Sequence, residues 1–238
     1  ALVTGNCALL KPAAVTSVIA AKISEILTDA GIPKGVFQYI PGRGSTVGNH
    51  LVKHPDVNMI VFTGSQEVGC QIYSEAAILR PGQKHLKRVV AEMGGKNAII
   101  IDESADLDQA VQGVVYSAFG YSGQKCSACS RVIVHAPIYD AFVARLVEAT
   151  KSINVGDAVE PGTQVGPVID ASAQKKILGY VEKGKEEATL ALALPAPEEG
   201  YFVGPTIFTD VDPEGTLAQE EIFGPVLSVM KAETFEEG

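Results

Sequence analysis

Short apolar runs alternate along this chain with stretches in which apolar residues recur every three to four positions. The first run, Cys7-Ala8-Leu9-Leu10, predicts a strand. Val15, Val18, Ile19, Ile23, Ile26 and Leu27 then share one face of a helix over 15–30, which Gly31 ends and Pro33 keeps from resuming. The same alternation predicts a strand over 36–40, a helix over 46–53, a strand over 58–62 and a helix over 66–79, before the short strand Val89-Val90-Ala91. Continuous apolar strands separated by helices imply a parallel sheet covered on both faces, which is the doubly wound, nucleotide-binding kind of domain. The second part stays α/β: strand 97–101, helix 107–119, strand 131–134, helix 139–151, a Gly/Pro-rich loop over 156–166, and a polar helix over 171–187. Further strands are predicted at 189–194, 201–203 and 226–230.

Composition narrows the class. At 238 residues, with 46% hydrophobic and 20% charged residues, the chain can bury a substantial core and is not of disordered type. A formal net charge of −9 argues against nucleic acid as partner, because phosphate contacts need clustered Lys and Arg. Apolar runs are too short for a membrane span, and no charged-then-apolar leader opens the chain. The four cysteines, two of them in a reactive-looking loop, suggest a reducing, cytoplasmic compartment rather than a disulfide framework. The chain opens on Ala1 without an initiator Met and stops at Glu236-Glu237-Gly238 where a helix is expected to begin, which predicts a piece of a longer protein.

The richest chemistry lies in Gly120-Tyr121-Ser122-Gly123-Gln124-Lys125-Cys126-Ser127-Ala128-Cys129. A thiol is a nucleophile only as thiolate, so it must be reachable and its pKa lowered from about 8.5. Gly120 and Gly123 let the backbone bend around a substrate, and small Ser127 and Ala128 leave Cys126 uncrowded. A buried apolar role is the competing reading of any Cys, but these neighbours are polar, small and flexible. Cys126 and Cys129 are also spaced as a redox C-x-x-C pair; however, they follow a long helix rather than opening one after a first strand. The four His (50, 54, 85, 135) are scattered. His50 and His54 share a helix face without a third partner, so zinc is not expected and no metal site is assigned.

Ligands of doubly wound sheets bind at the carboxyl ends of strands. Phe62-Thr63-Gly64-Ser65 stands at such an end; Gly64 permits close approach, and Ser65 with free helix N–H groups could hold a pyrophosphate or act simply as an N-cap. Gly42-Arg43-Gly44-Ser45-Thr46-Val47-Gly48 misses the Gly-x-Gly-x-x-Gly spacing by one residue and reads as a plain turn. Lys11 closes the first strand, either solvated or as a ribose ligand. Glu92 follows Val89-Val90-Ala91 and precedes two glycines; a partly desolvated carboxylate there could serve as general base.

In order and spacing, Lys11-Pro12, Phe62-Thr63-Gly64-Ser65, Glu92-Met93-Gly94-Gly95-Lys96, Gly123-Gln124-Lys125-Cys126 and Glu221-Ile222-Phe223-Gly224-Pro225-Val226 resemble the aldehyde dehydrogenase superfamily across essentially the whole chain. Phe119 to Ala128, Arg80-Pro81-Gly82-Gln83, Gly200-Tyr201-Phe202-Val203-Gly204-Pro205-Thr206 and the long stretch between Ser65 and Glu92 resemble its 1-pyrroline-5-carboxylate dehydrogenase branch, which oxidises L-glutamate γ-semialdehyde to L-glutamate in proline catabolism. The resemblance implies part of an NAD-binding domain over 1–93 and an α/β catalytic domain over 94–238. It implies Cys126 as nucleophile, Glu92 as base for deacylation, and Ser127 at the substrate carboxylate. Lys11, Gly64 and Ser65 would serve the adenosine and pyrophosphate of NAD, and Glu221 and Phe223 its nicotinamide half. Ala14 stands where many relatives carry a ribose-binding acid, which leaves NADP open beside NAD. The family's oxyanion Asn lies upstream of residue 1 and its carboxylate-anchoring loop beyond Gly238, so the isolated 238 residues are expected to be inactive. The partners implied are a small aldehyde substrate and, for the parent protein, either further copies of itself or a fused proline-oxidising domain.

Overall fold

Strand β1 (Ala8–Leu10) pairs in parallel with β2 (Phe37–Tyr39), and β3 (Met59–Gly64) pairs in parallel with β4 (Arg88–Met93), as two separate two-stranded sheets. They belong to the first of two units, Ala1–Met93 and Gly94–Gly238, in a computed structural model that describes all 238 residues. Helices α1 (Ser17–Asp29), α2 (Asn49–Lys53) and α3 (Gln66–Ala76) complete that unit. The α/β alternation is as the apolar pattern predicts, but the covering of the strands is not. Val61 is 70% exposed, Met59 53% and Val18 74%. Sheets of only two strands cannot bury the apolar faces of three helices and both of their own faces. Two boundaries also move. In place of the plain turn at Gly42 to Gly48, Gly44–Gly48 forms a wide helical turn, because the Arg43 carbonyl accepts from both Thr46 N (3.2 Å) and Gly48 N (3.3 Å) and leads directly into α2. Helix α3 ends at Ala76, three residues early, where the chain turns toward Pro81 and Arg80 pairs with Glu75 at 2.5 Å.

The second unit holds one five-stranded sheet in the order β5-β6-β9-β8-β7, from β5 (Ala98–Ile101), β6 (Arg131–His135), β7 (Thr189–Ala193), β8 (Thr206–Thr209) and β9 (Val226–Ala232). All neighbours are parallel except β7 and β8. Side chains of successive strand residues point to opposite faces, and the core divides accordingly. Val132, Val134, Ile207, Leu227 and Val229 pack with α4 (Leu107–Phe119) and α5 (Tyr139–Lys151). Ile133, Phe208, Val226 and Met230 pack with α6 (Ala171–Glu187) and α7 (Thr216–Gln219). Asp106 caps α4 by accepting from Asp108 N (3.0 Å) and Gln109 N (3.1 Å); Asp170 caps α6 by accepting from Ala173 N at 2.8 Å.

The strand expected at 201–203 is absent. Those residues form an extended loop whose carbonyls are already engaged: Val168 N donates to Tyr201 O (2.7 Å) and Gln174 Nε2 to Phe202 O (2.9 Å). Sheet pairing begins only at Thr206, after Pro205, which has no N–H to offer a ladder. The last six residues make a turn rather than a helix, and α7, too short to show a periodicity, was not expected. No helix is long and apolar enough to cross a membrane.

Packing around α6 is tight enough to test. A Cβ on Gly184 would sit 2.6 Å from Phe208 Cζ and 3.0 Å from Leu217 Cδ1, both fully buried. Alanine would gain up to about 1 kcal/mol in helix propensity, whereas overpacking a rigid core costs roughly 1–3 kcal/mol. Gly184→Ala is therefore expected to lower the denaturation midpoint; a raised midpoint would show that this interface yields.

Candidate active site

Helix α4 runs straight into the loop that presents Cys126. Tyr121 (φ 59°), Ser122 (φ 56°) and Gly123 (φ 66°) are consecutive left-handed residues, a conformation that costs non-glycine residues on the order of 1–3 kcal/mol each and persists only where surroundings impose it. Gly120, expected to supply the bend, is ordinary extended backbone (φ −54°, ψ 136°). The surroundings do impose the strain. Ser122 Oγ, buried, donates to Gly166 O at 2.8 Å; Gln124 Oε1 accepts from Ile169 N at 3.0 Å; Lys125 Nζ lies 5.5 Å from the Tyr116 ring centre. Gly123 packs so closely on the Gly224 carbonyl that no Cβ fits there. Asn97 Nδ2 donates to Cys126 O at 2.7 Å and reaches Ala128 O at 3.4 Å, tying the nucleophile's own backbone to the start of β5.

The two loop cysteines are opposites. Cys126 is exposed and Cys129 is 4% exposed; both are free. The Cys129 thiol donates to Arg131 O at 3.2 Å, and burial pushes its pKa up to about 12. A thiol that stays protonated at neutral pH is a poor member of a redox pair, so the C-x-x-C spacing here separates an available sulfur from a structural one. Ser127, next to Cys126, is also exposed.

Behind this loop lies the Gly94-Gly95-Lys96-Asn97 segment. Gly94 faces the Glu221 carboxylate at a distance that leaves no space for a Cβ. The Lys96 ammonium is buried without a hydrogen-bond partner, and its pKa is lowered to about 8 by burial first and by the Arg131 charge second, against the opposing pull of Glu221. Arg131 Nε donates to Lys96 O at 2.9 Å. Phe223 has φ 60° and is 42% exposed; Gly224 is backed by the Ile177 side chain, 2.6 Å from where a Cβ would stand. Cys126, Ser127, Glu221 and Phe223 thus belong to loops that are joined in the second unit through the Gly123–Gly224 contact.

The other candidates lie in the first unit, at or near strand ends. Ser65 caps α3, accepting from Val68 N at 3.4 Å, which leaves its own O–H and the first N–H groups of the helix free to donate. Gly64 is a glycine for a reason not foreseen: the Phe62 ring occupies its Cβ position, 2.5 Å away. Glu92 does not follow β4 but lies within it, opposite Thr63, because β3 keeps pairing through Gly64 and Met93. It is exposed, not partly desolvated as expected. Lys11, half-buried after β1, donates its Nζ to Pro12 O and, at 3.4 Å, to Gly42 O. The Lys11 ammonium, the Ser65 hydroxyl and the free N–H groups of α3 are each donors of the kind that suits the ribose and phosphates of a nucleotide. His50 and His54 do meet, with ring centres 5.5 Å apart, and no group of three or more His, Cys, Asp or Glu is arranged to hold a metal ion.

Sequence reasoning missed Asn97, Gln124, Lys176 and Tyr180, which hold these loops. Asn97 left a signal, as the polar residue opening an otherwise apolar strand. The rest make contacts 40 or more residues away: Tyr180 with the Glu220 carboxylate (40 residues), Lys176 with the Glu221 carbonyl (45 residues) and Gln124 with the Ile169 N–H (45 residues).

Comparison with known proteins gives close relatives over nearly the whole chain. The 1-pyrroline-5-carboxylate dehydrogenase of Geobacillus thermodenitrificans is 54% identical over 237 residues, covering 99% of this chain and 46% of that protein. The crystal structure of 1-pyrroline-5-carboxylate dehydrogenase from Thermus with bound NAD superposes with a TM-score of 0.95 at 47% identity, covering 98% of this chain and 45% of that one. Proline utilization A (PutA) from Bdellovibrio bacteriovorus gives a TM-score of 0.97 at 48% identity, over 99% of this chain and 24% of that one. The chain thus spans about half the length of the curated relatives it matches. The profile of the aldehyde dehydrogenase family matches residues 1–238, the whole chain, so the chain belongs to that family.

Proposed function

We propose that residues 1–93 form part of the NAD-binding domain and residues 94–238 the larger part of the catalytic domain of an enzyme that oxidises L-glutamate γ-semialdehyde to L-glutamate. The observation that carries this reading is the contrast between Cys126, exposed on a loop fixed by Asn97 and Gly123, and Cys129, buried with its pKa near 12. Similarity to named 1-pyrroline-5-carboxylate dehydrogenases supports the substrate.

In this reading the Cys126 thiolate adds to the aldehyde carbon, and the carbonyl π electrons move onto oxygen to give a thiohemiacetal. Bound NAD supplies the two-electron acceptor for the hydride on that carbon. The acyl group remaining on the Cys126 sulfur is a thioester. Glu92 takes a proton from water, the hydroxyl oxygen adds to the thioester carbonyl, and the thiolate leaves as the acid forms. Lys11 and Ser65, beside Gly64, would receive the adenosine ribose and pyrophosphate; Glu221 and Phe223 would receive the nicotinamide ribose and ring. Ser127 would donate to the substrate's remote carboxylate. Exposure of Glu92 suits a group that must exchange its proton with solvent after each turnover.

Likeness both to stand-alone dehydrogenases and to PutA supports a parent protein that is either a self-associating enzyme or one part of a bifunctional proline-oxidising chain. The test is NADH formation by the protein at its full natural length with glutamate semialdehyde against a panel of other aldehydes. Glutamate semialdehyde is expected to win in kcat/KM; another aldehyde preferred by roughly tenfold or more would overturn the substrate assignment.

A further inference from the structure

The segment from Glu220 to Gly224 carries two residues assigned above to the nicotinamide half of the cofactor, and its backbone is strained at Phe223, a bulky residue at φ 60°. One face of α6 holds it in three places. Lys176 Nζ donates to the Glu221 carbonyl at 3.0 Å, the Tyr180 hydroxyl donates to Glu220 Oε2 at 2.6 Å, and Ile177 fills the space over Gly224. From the opposite side Gly224 meets Gly123 of the cysteine loop.

The two polar contacts are not there to build the core. Glu220 and Lys176 are exposed, Tyr180 is half-buried, and the packing at this point is done by buried Ile177. Nor does α6 need them for its own ends, since Asp170 caps it. Exposed pairs of this kind add little to stability, so what they change is the freedom of the backbone they grip. An unheld segment would relax Phe223 out of the left-handed region and swing Glu221 with it.

We propose that Lys176 and Tyr180 are positioning residues for the nicotinamide ribose site: by tying the Glu220-to-Gly224 segment to α6 they fix the Glu221 carboxylate and the Phe223 ring where the cofactor is received. The proposal rests on the reading that Glu221 and Phe223 hold that half of NAD. Both α6 residues act through the segment they hold.

The experiment measures KM for NAD, KM for the aldehyde, NADH affinity by fluorescence and the unfolding midpoint, in the protein at its full natural length. Tyr180→Phe removes one oxygen and Lys176→Met removes the ammonium. Each is expected to raise KM for NAD and weaken NADH binding by roughly three- to tenfold, the range for loss of one net hydrogen bond, while aldehyde KM and the unfolding midpoint stay put. Lys176→Arg keeps a donor and is expected to restore NADH affinity. Tyr180→Phe combined with Glu220→Ala should lose no more than the worse single change, because both remove the same bond. Unchanged NADH affinity in Tyr180→Phe and Lys176→Met overturns the proposal, as does a parallel fall in every parameter together with the unfolding midpoint. A wild-type protein that binds NADH but oxidises no aldehyde would refute the enzymatic reading alone, and the affinity losses would still support the clamp. A wild-type protein that binds no NADH would overturn both.

Discussion

Cys126→Ala is expected to abolish NAD-dependent aldehyde oxidation in the protein at its full natural length, by roughly a thousandfold or more, because no neighbouring group can replace the nucleophile. Cys129→Ala, three residues on, is expected to retain most activity and to cost only about 1 kcal/mol of stability, as an ordinary buried truncation does. The two thiols differ in ionisation as well as place. With a pKa pushed up to about 12, Cys129 holds on the order of one part in ten thousand as thiolate at pH 8, so alkylation mapped by peptide should find Cys126 modified and Cys129 intact. Cys7 and Cys70 are also exposed and will label, which is why mapping rather than total thiol count is the measurement. Equal loss of activity from Cys126→Ala and Cys129→Ala would revive the redox-pair reading.

The second large effect separates the two halves of the reaction. Glu92→Gln preserves shape but removes the base, so the variant is expected to release one equivalent of NADH and then stall with the acyl group on Cys126. Steady-state turnover should fall by roughly a hundredfold or more, within the usual worth of a general base. Mass spectrometry of the stalled protein should show the acyl adduct on the peptide that contains Cys126. A normal steady-state rate in Glu92→Gln would remove Glu92 from the mechanism and leave the deacylating base to be found elsewhere.

How far the chain could be read in advance depended on how local each determinant was. Helices α1, α4, α5 and α6 were legible because their periodicity lies within one stretch, helped by the caps Asp106 and Asp170 of α4 and α6 and the Gly31 and Pro33 stop after α1. The strand expected at 201–203 was misread for the converse reason: Tyr201 and Phe202 have the side chains of a strand, but their carbonyls are taken by Val168 and Gln174, which are far away in sequence. The wide turn at Gly44–Gly48 looked like a plain turn because its bifurcated acceptor, the Arg43 carbonyl, is backbone and leaves no mark in side-chain pattern. Covering of the first unit's strands was overestimated, since periodicity tells which face is apolar but not whether anything packs on it. At the site, Cys126 stood out through its small neighbours. Gly64 drew attention as a place for close ligand approach; that the Phe62 ring fills its Cβ position is a packing reason the sequence pattern does not report. Asn97 and Tyr180 act at distances along the chain that no local pattern reports.

The sheet order has a kinetic consequence. Of the five strands in this sheet, β9 follows the other four along the chain, yet it sits at the centre, flanked by β6 on one side and β8 on the other. Until residues 226–232 emerge during synthesis, β5 and β6 have no link to β8 and β7, and the fully buried Leu227 and Val229 are missing from the core. Loop closure between β6, ending at His135, and β9, starting at Val226, spans more than half of the second unit, Gly94–Gly238, and pairing of such long range slows folding, on the order of milliseconds to seconds rather than microseconds. A nascent chain stalled before Val226 should therefore expose apolar strand edges and be digested more readily by protease than one extended past Ala232 and clear of the ribosome. The five-stranded sheet closes around a strand that arrives after all its neighbours, and chaperone dependence is expected to fall once that strand is in place.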